Sequence, residues 1–148
     1  MKCERVIGNQ RSSQLLYFTS PSLTKNDDGL VFISDCDGSP NIFYKDLKTF
    51  QERQLTFISD GYLESYIYYE GNQEKGLGKA SICFDNENNL IYYIHNKKIC
   101  CVDLEGNSRI VSELPPDQVT AYTHISYDGT RLCVPTTDQE AFLRDQWN

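Results

Sequence analysis

Residues 28–35 read DGLVFISD, in which an Asp-Gly turn leads into a continuous apolar segment. After a short gap, residues 41–47 read NIFYKDL and end in Asp-Leu, and residues 53–56 read RQLT. Short segments that are rich in β-branched and aromatic residues, with turn residues between them, predict strands. A turn followed by three such segments therefore predicts an antiparallel β-meander.

The same order of segments returns further along the chain. Residues 88–95 (NNLIYYIH), 98–104 (KICCVDL) and 108–111 (SRIV) form a second copy, and residues 127–134 (YDGTRLCV) begin a third. Recurring antiparallel meanders are typical of the β-propeller, in which each blade is a sheet of four strands. The sequence therefore predicts an all-β fold, a β-propeller built from four-stranded antiparallel blades.

The spacing of the copies limits how much of a propeller the chain contains. Leu90 follows Leu30 by 60 residues, and Leu132 follows Leu90 by 42, whereas a blade takes roughly 40–45 residues. Since closed propellers have about 4–8 blades, the chain predicts a single partial domain of about two and a half to three blades. The predicted parts are blade one at about 15–56, an insertion at about 57–79, blade two at about 80–112, the start of blade three at about 120–138, and a tail at 139–148.

The residue pattern within the strands predicts which faces are covered. The segment from Leu30 to Ile33 is apolar without alternation, as expected of a strand buried on both faces. Gly29 is predicted to supply positive φ in the preceding turn, and the first and last blades are expected to leave an apolar face or edge uncovered. Residues 121–126 alternate and are predicted to be the inner strand of blade three.

Composition excludes several classes of partner. The net charge of −7 disfavours nucleic acid and anionic membrane surfaces. No segment is long and apolar enough for a membrane span, and the first residues lack the apolar core of a signal peptide. We therefore predict a cytoplasmic protein without a nucleic-acid or membrane partner.

The six cysteines are scattered and form no Cys-x-x-Cys pair, so zinc and redox motifs are unsupported. Cys83, Cys100 and Cys133 fall inside apolar strands and are predicted to be small buried hydrophobic residues in a reducing compartment. Cys100 and Cys101 are neighbours on a strand and are expected to point to opposite faces.

The first copy resembles the TolB-type propeller repeat, because its Asp-Gly turn, apolar strand, Asp-Leu ending and Leu-Thr strand follow in that order. Within that class, the arrangement resembles the N-terminal part of oligogalacturonate lyase. The residues that carry this resemblance are Tyr17-Phe18-Thr19 before the first Asp-Gly turn, the two blade copies, and residues 124–132 (HISYDGTRL) at the start of blade three. The resemblance covers most of residues 14–138.

The resemblance implies a cytoplasmic seven-bladed propeller enzyme that cleaves oligogalacturonides by β-elimination in pectin breakdown. It also implies manganese as the cofactor, bound by a cluster of His with a Gln, and a catalytic His and Arg, all in later blades. No catalytic or metal residue is carried onto this chain, which has only His95 and His124. The remaining blades, or self-association, would complete the propeller around an oligogalacturonide or another small carbohydrate.

A second interpretation comes from a different class of function. Many propellers without catalytic activity share these repeats, so the chain is also consistent with a non-catalytic TolB-like segment that binds protein or carbohydrate. A set of histidines in later blades would favour the enzyme, and its absence would favour the binding module.

The substrate-binding candidates are Tyr17, Tyr122, His124 and His95. Alternate residues of an inner strand face the channel, so Tyr122 and His124 are predicted to line it, with Thr123 and Ile125 turned into the blade packing. A hydrogen-bonded structural histidine is the alternative for His124, and a surface histidine is the alternative for His95.

Further polar residues are expected at the channel mouth, with plain turn roles as the alternative. They are Asp35, Asp37, Asn41 and Asp138. Asp46 and Asp103 recur at one blade position and are predicted to accept hydrogen bonds from turn amides. The insertion offers four tyrosines that suit either sugar stacking or blade packing: Tyr62, Tyr66, Tyr68 and Tyr69.

Overall fold

The first sheet is one complete antiparallel meander. In this computed structural model, the described residues are 6–7, 13–16, 19–35, 39–59, 82–120 and 122–146. The strands lie side by side in chain order, and each is antiparallel to the next. They are β1 (Ser13–Leu15), β2 (Gly29–Ser34), β3 (Asn41–Asp46) and β4 (Glu52–Gln54).

The second sheet repeats this arrangement. Its strands again lie in chain order and pair antiparallel. They are β5 (Cys83–Asp85), β6 (Leu90–His95), β7 (Lys98–Asp103) and β8 (Ser108–Glu113). The two meanders predicted from the repeated segments are therefore both present, and the fold is all-β as predicted.

The third unit is an interrupted hairpin followed by a helix. β9 (Gln118–Thr120) pairs with β12 (Thr136–Asp138), and β10 (His124–Ile125) pairs with β11 (Leu132–Cys133) inside that pair. Four residue steps separate Thr120 from His124, whereas three separate Cys133 from Thr136, so the first strand carries one extra residue, as in a β-bulge. Within the inner strand predicted over residues 121–126, the described strand is β10, and β9 precedes the predicted segment.

The chain ends in a short helix, α1 (Gln139–Gln146). Its first backbone amides are partly satisfied by Asp138, whose carboxylate accepts a hydrogen bond from the Ala141 amide at 2.7 Å. Asp138 is thus the N-cap residue of α1. Within the described residues, no helix is long and apolar enough to cross a membrane.

Sheets one and two pack face to face through an apolar core. Val31, Ile33 and Ile42 of the first sheet meet Phe84, Ile91 and Val102 of the second, and all six are fully buried. Alternate residues of each strand supply this layer because side chains on a strand point to opposite faces in turn. The two meanders therefore pack face to face.

Burial of β2 on both faces is also confirmed, since all six of its residues are buried. Its far face carries Leu30 and Phe32, and Phe32 stacks on Phe43 with ring centroids 5.6 Å apart. Ile7 packs against this cluster. The expectation that this face is left uncovered is therefore wrong for Leu30 and Phe32, because residues before β1 contribute to covering it.

The turn before β2 differs from the prediction. The residue with positive φ is Asp27 (φ 55°), whereas Gly29 lies within β2. A Cβ at position 29 would meet the ring of Tyr44, so glycine leaves room for that neighbouring side chain. The residue is needed for space and not for its backbone angle.

The cysteine predictions are borne out in part. Cys83, Cys100 and Cys101 are buried free thiols, and Cys100 faces the core between the two sheets while Cys101 lies outside that cluster. Cys133 is exposed, so its predicted burial is wrong. Its neighbours Leu132 and Val134 are the residues that pack on sheet two, against Ile94 and the apolar residues around it.

The recurring aspartates have the predicted structural role. One carboxylate oxygen of Asp46 accepts hydrogen bonds from the amides of Lys48 (2.8 Å) and Thr49 (2.7 Å). One oxygen of Asp103 likewise accepts hydrogen bonds from the amides of Glu105 and Asn107. These bonds stabilise the charged carboxylates and lower the pKa of both residues.

Asp128 does the same in the β10–β11 turn. The hydroxyls of Ser126 and Thr130 and the Thr130 amide donate hydrogen bonds to its carboxylate. These bonds lower the pKa of Asp128 from 3.8 to about 2. The β3–β4, β7–β8 and β10–β11 turns are therefore each held by an ionised aspartate.

The core between the sheets is expected to dominate stability. Ile91→Ala should reduce the free energy of unfolding by about 2–5 kcal/mol, because it leaves a cavity in a fully buried layer. Urea denaturation measures the change. The matched control is Ile110→Ala in β8, where the side chain is 56% exposed and the expected change is within about 0.5 kcal/mol. Equal losses in the two variants would contradict the assigned core.

Stability is expected to fall in acid through the turn aspartates. The pKa of Asp128 is lower in the folded chain, so its contribution is fully present above pH 3.8 and is lost as the pH falls toward about 2. The thermal midpoint of the wild type should therefore drop more steeply across this window than that of Asp128→Asn. Asp117→Asn, at an exposed position in the turn before β9, should follow the wild type. Parallel curves for all three proteins would refute the role of Asp128.

Candidate functional site

One end of the two sheets carries three of the polar residues predicted to be functional, Asp35, Asn41 and His95. Here lie the β2–β3 and β6–β7 turns and the segments by which the chain leaves β4 and β8. The amide of Leu55 donates to the carbonyl of Ile42, and the amide of Leu114 donates to the carbonyl of Lys97. Each departing segment is thus bonded beside the turn of its own sheet. We call this end of the two sheets the connector end.

Asn41, the first residue of β3, anchors the segment that leaves sheet one. Its side-chain amide donates to the carbonyl of Ile58 (3.0 Å) and its carbonyl accepts from the Ile58 amide (2.8 Å). The same oxygen accepts the hydroxyl of Thr56, which in turn accepts the Ile42 amide. Asn41 is 3% exposed. Asn41 was predicted to lie at the channel mouth, but its position is buried and structural. Both the amide and the carbonyl of its side chain are hydrogen-bonded to the backbone of Ile58.

The β6–β7 turn anchors the segment that leaves sheet two by different chemistry. Asn96 and Lys97 both have positive φ (49° and 62°), and His95 pairs with Lys98, which makes a two-residue hairpin of the type I′ kind. The Lys97 ammonium donates to the carbonyl of Gln118 at 2.6 Å. Lys97 therefore holds the segment that connects sheet two to the third unit, and Asn41 holds the segment that leaves sheet one.

His95 lies at the connector end as the last residue of β6 and is half-buried. Asp35 follows β2 at the corresponding position of sheet one and is also half-buried. Asp37, which was predicted to join them at the channel mouth, lies outside the described residues, as do the substrate-binding candidate Tyr17 and the four tyrosines of the insertion. Asp138 does not join them as a free polar group, because its carboxylate caps α1.

The other candidates lie where the third unit meets sheet two. β10, which carries His124, packs beside β5, the first strand of sheet two. Thr123 is 2% exposed and its side chain hydrogen-bonds the buried Cys83 thiol, whereas His124 is exposed and Tyr122 is half-buried. The polar hydroxyl of Thr123 can be buried because it is hydrogen-bonded to the Cys83 thiol. Ile125 lines a groove that Phe84 also lines.

Burial keeps three described cysteine thiols and one tyrosine in their neutral forms. Burial raises the pKa of Cys83 to about 11 and that of Tyr93 to about 12. Burial also raises the pKa of Cys100 and Cys101. These thiols are therefore not activated nucleophiles.

Metal-ligating side chains are dispersed. In the part of the chain that the structure describes, no three His, Cys, Asp or Glu side chains are grouped closely enough to hold a metal ion. His95 and His124 stand on different sheets, and Asp46, Asp103 and Asp128 are bonded to turn amides. The described residues therefore do not make a metal centre.

Two grooves lie at the opposite end, between the turns of neighbouring units. One, of about 280 Å³, lies between sheets one and two and is bordered by ion pairs of Lys25 with Glu87 and of Lys48 with Asp28. The other, of about 300 Å³, lies between sheet two and the third unit, with Phe84 and Ile125 in its wall. Sequence analysis missed both grooves, because only packing brings these turns together.

Two solved structures share this arrangement of sheets. One is an oligogalacturonate lyase from Vibrio parahaemolyticus, with a TM-score of 0.73 and 19% identity over 92% of this chain and 32% of that one. The other is an oligogalacturonate lyase in complex with manganese, with a TM-score of 0.72 and 19% identity over 92% of this chain and 33% of that one. The chain has the fold of part of an oligogalacturonate lyase.

The resemblance predicted from the repeats is thus confirmed at the level of the fold. The chain spans about a third of the length of the two oligogalacturonate lyases that it matches. A TolB structure from Acinetobacter baumannii is far less similar, with a TM-score of 0.26 at 15% identity over 83% of this chain and 41% of that one. No protein-family model and no curated protein sequence matches the chain.

The Asn41 anchor is expected to contribute to stability as much as a core side chain. Asn41→Ala leaves the buried amide and carbonyl of Ile58 without their partners, so the free energy of unfolding should fall by about 1–3 kcal/mol. The control is Asn26→Ala, at an exposed turn position, with an expected change within about 0.5 kcal/mol. A loss no larger than that of the control, measured by urea denaturation, would show that water replaces the anchor.

Proposed function

We propose that this chain is a segment of a β-propeller protein that cleaves oligogalacturonides by β-elimination, in cytoplasmic pectin breakdown. The observation that carries the proposal is the match of 92% of the chain to two oligogalacturonate lyases at TM-scores of 0.73 and 0.72. The order of the repeated segments in the sequence supports the same assignment independently.

The reaction sets chemical demands that divide the work between this segment and other parts of the protein. A base removes the proton next to the uronate carboxylate, and the charge that develops on that carboxylate must be neutralised by a cation. One of the two matched lyases is in complex with manganese, which is a cation that could neutralise this charge. The described residues of this chain do not fit a manganese site, because their acidic and histidine side chains are dispersed.

On this proposal the chain forms part of the wall of the substrate site. His95 at the connector end and Tyr122 and His124 beside the inner strand of sheet two are the residues that we assign to substrate contact. Tyr17 keeps the same assignment from the sequence. Companion blades supply the base, the metal ligands and the positive charge, since this chain carries a net charge of −7.

A non-catalytic propeller segment that binds protein or carbohydrate is the second candidate. The observation that favours it is that polar residues at the ends of the sheets form hydrogen bonds that hold the backbone. Asn41 holds the segment after β4, Lys97 holds the segment after β8, and Asp138 caps α1. These bonds hold the connections between the sheets, which is the role that polar residues have in a scaffold.

Assays of two proteins test the proposal. The 148-residue chain, given digalacturonate and manganese, is expected to release no unsaturated product, which ultraviolet absorbance detects. The complete gene product of the source organism, whatever its length, is expected to release it from digalacturonate and to leave cellobiose unchanged. Failure of the complete product on digalacturonate would refute lyase activity and favour the binding module. If the 148-residue chain itself cleaves digalacturonate, and His124→Ala abolishes that cleavage, the proposal that other blades supply the catalytic groups is refuted.

A further inference from the structure

Phe57 is a large apolar side chain displayed on the surface by a segment that is otherwise buried. It is 78% exposed, whereas Leu55, Thr56 and Ile58 around it are all buried. The segment leaves β4 at the connector end, beside the start of β3. An exposed apolar residue in a mobile loop is common and needs no explanation, but this one lies between two fixed neighbours.

Hydrogen bonds hold the backbone on both sides of Phe57. Before it, the Thr56 hydroxyl donates to Asn41 and the Thr56 carbonyl accepts from the Gln54 side chain at 2.9 Å. After it, both backbone groups of Ile58 are bonded to the Asn41 side chain. The ring therefore stands at a fixed point of the surface, and a ligand that contacts it need not order the backbone first.

The size of the exposed apolar surface identifies the kind of ligand. Stable protein–protein interfaces bury about 800 Å² on each partner, whereas here a single ring emerges from a segment whose other apolar side chains are buried. Among the described residues of this segment, Phe57 is the one exposed apolar side chain, and Phe50, which is also exposed, is in the β3–β4 turn at the opposite end of the sheet. A single ring matches one ring of a small ligand.

Phenylalanine offers such a ligand only its aromatic faces and edges, since it has no hydrogen-bonding group. The faces of the ring are electron-rich and attract weakly positive C–H groups. A pyranose ring presents a face of C–H groups, with its hydroxyl and carboxyl groups directed outward. An oligouronide would therefore lay the C–H face of one residue on Phe57 and leave its carboxylate directed away from the ring.

We propose that Phe57 is a stacking platform for one sugar ring of the bound oligosaccharide. This inference rests on the proposed function, since it names a contact of the same substrate site at the connector end. It assigns to sheet one a direct share in binding, although Asn41, the polar residue expected there, has a structural role. The platform sets the position of the sugar chain and does not take part in the proton transfer.

Titration of the chain with digalacturonate and with cellobiose, followed by NMR at millimolar ligand, tests the platform. Saturation transfer from aromatic protons to the sugar C–H groups, and shifts of the amides at positions 56–58, are expected for the wild type. Phe57→Ala is expected to weaken binding about three- to tenfold, while Phe57→Tyr retains it. Phe50→Ala, which removes a ring that is 61% exposed at the other end, is the matched control and is expected to bind as the wild type does.

The outcomes separate this inference from the proposed function. Binding of digalacturonate that Phe57→Ala leaves unchanged, or binding of neither sugar, overturns the platform. Binding of cellobiose alone with the expected loss in Phe57→Ala supports the platform and contradicts the oligouronide substrate. The thermal midpoint of Phe57→Ala should equal that of the wild type, because the ring is exposed; a variant with a lowered midpoint is replaced in the comparison by Phe57→Leu, which keeps apolar bulk without the aromatic face.

Discussion

The packing of β2 and β6 in the interior of their sheets is the constraint on which the rest of the structure depends. Val31 and Ile33 of β2 meet Ile91 and Tyr93 of β6 in one apolar layer, while Leu30 and Phe32 turn to the other side of sheet one. A sheet with two apolar faces cannot stand alone in water, since each face must be removed from solvent. Each meander is therefore stable only beside another unit.

The same constraint explains how the third unit attaches. Ile94 and Ile99 of sheet two are buried with Leu114, and Leu132 and Val134 of the interrupted hairpin pack on them. On the other side of the molecule, Ile7 packs on the far face of sheet one. Two complete sheets and one hairpin thus form a stack in chain order.

The polar residues mainly serve to hold the links between these units. Asn41 and Lys97 fix the segments that leave the two sheets, and they occupy comparable positions with different chemistry. Ionised aspartates hold the turns before the last strands. Once these links are fixed, the exposed side chains at the connector end are presented at constant positions. Fixed positions of this kind are what the proposed wall of the substrate site requires.

The repeated segments by themselves determined the strands, the two meanders, their face-to-face packing and the turn role of Asp46 and Asp103, because these follow from short-range alternation and turn chemistry. Only the tertiary structure decided the fate of particular polar and small residues. Asn41 is buried because a segment fifteen residues later returns to it. Gly29 leaves room for the ring of Tyr44 on the neighbouring strand, and Asp138 caps a helix. Each of these roles depends on a partner distant in sequence or on an element boundary, and no local pattern specifies which backbone group or side chain will arrive there.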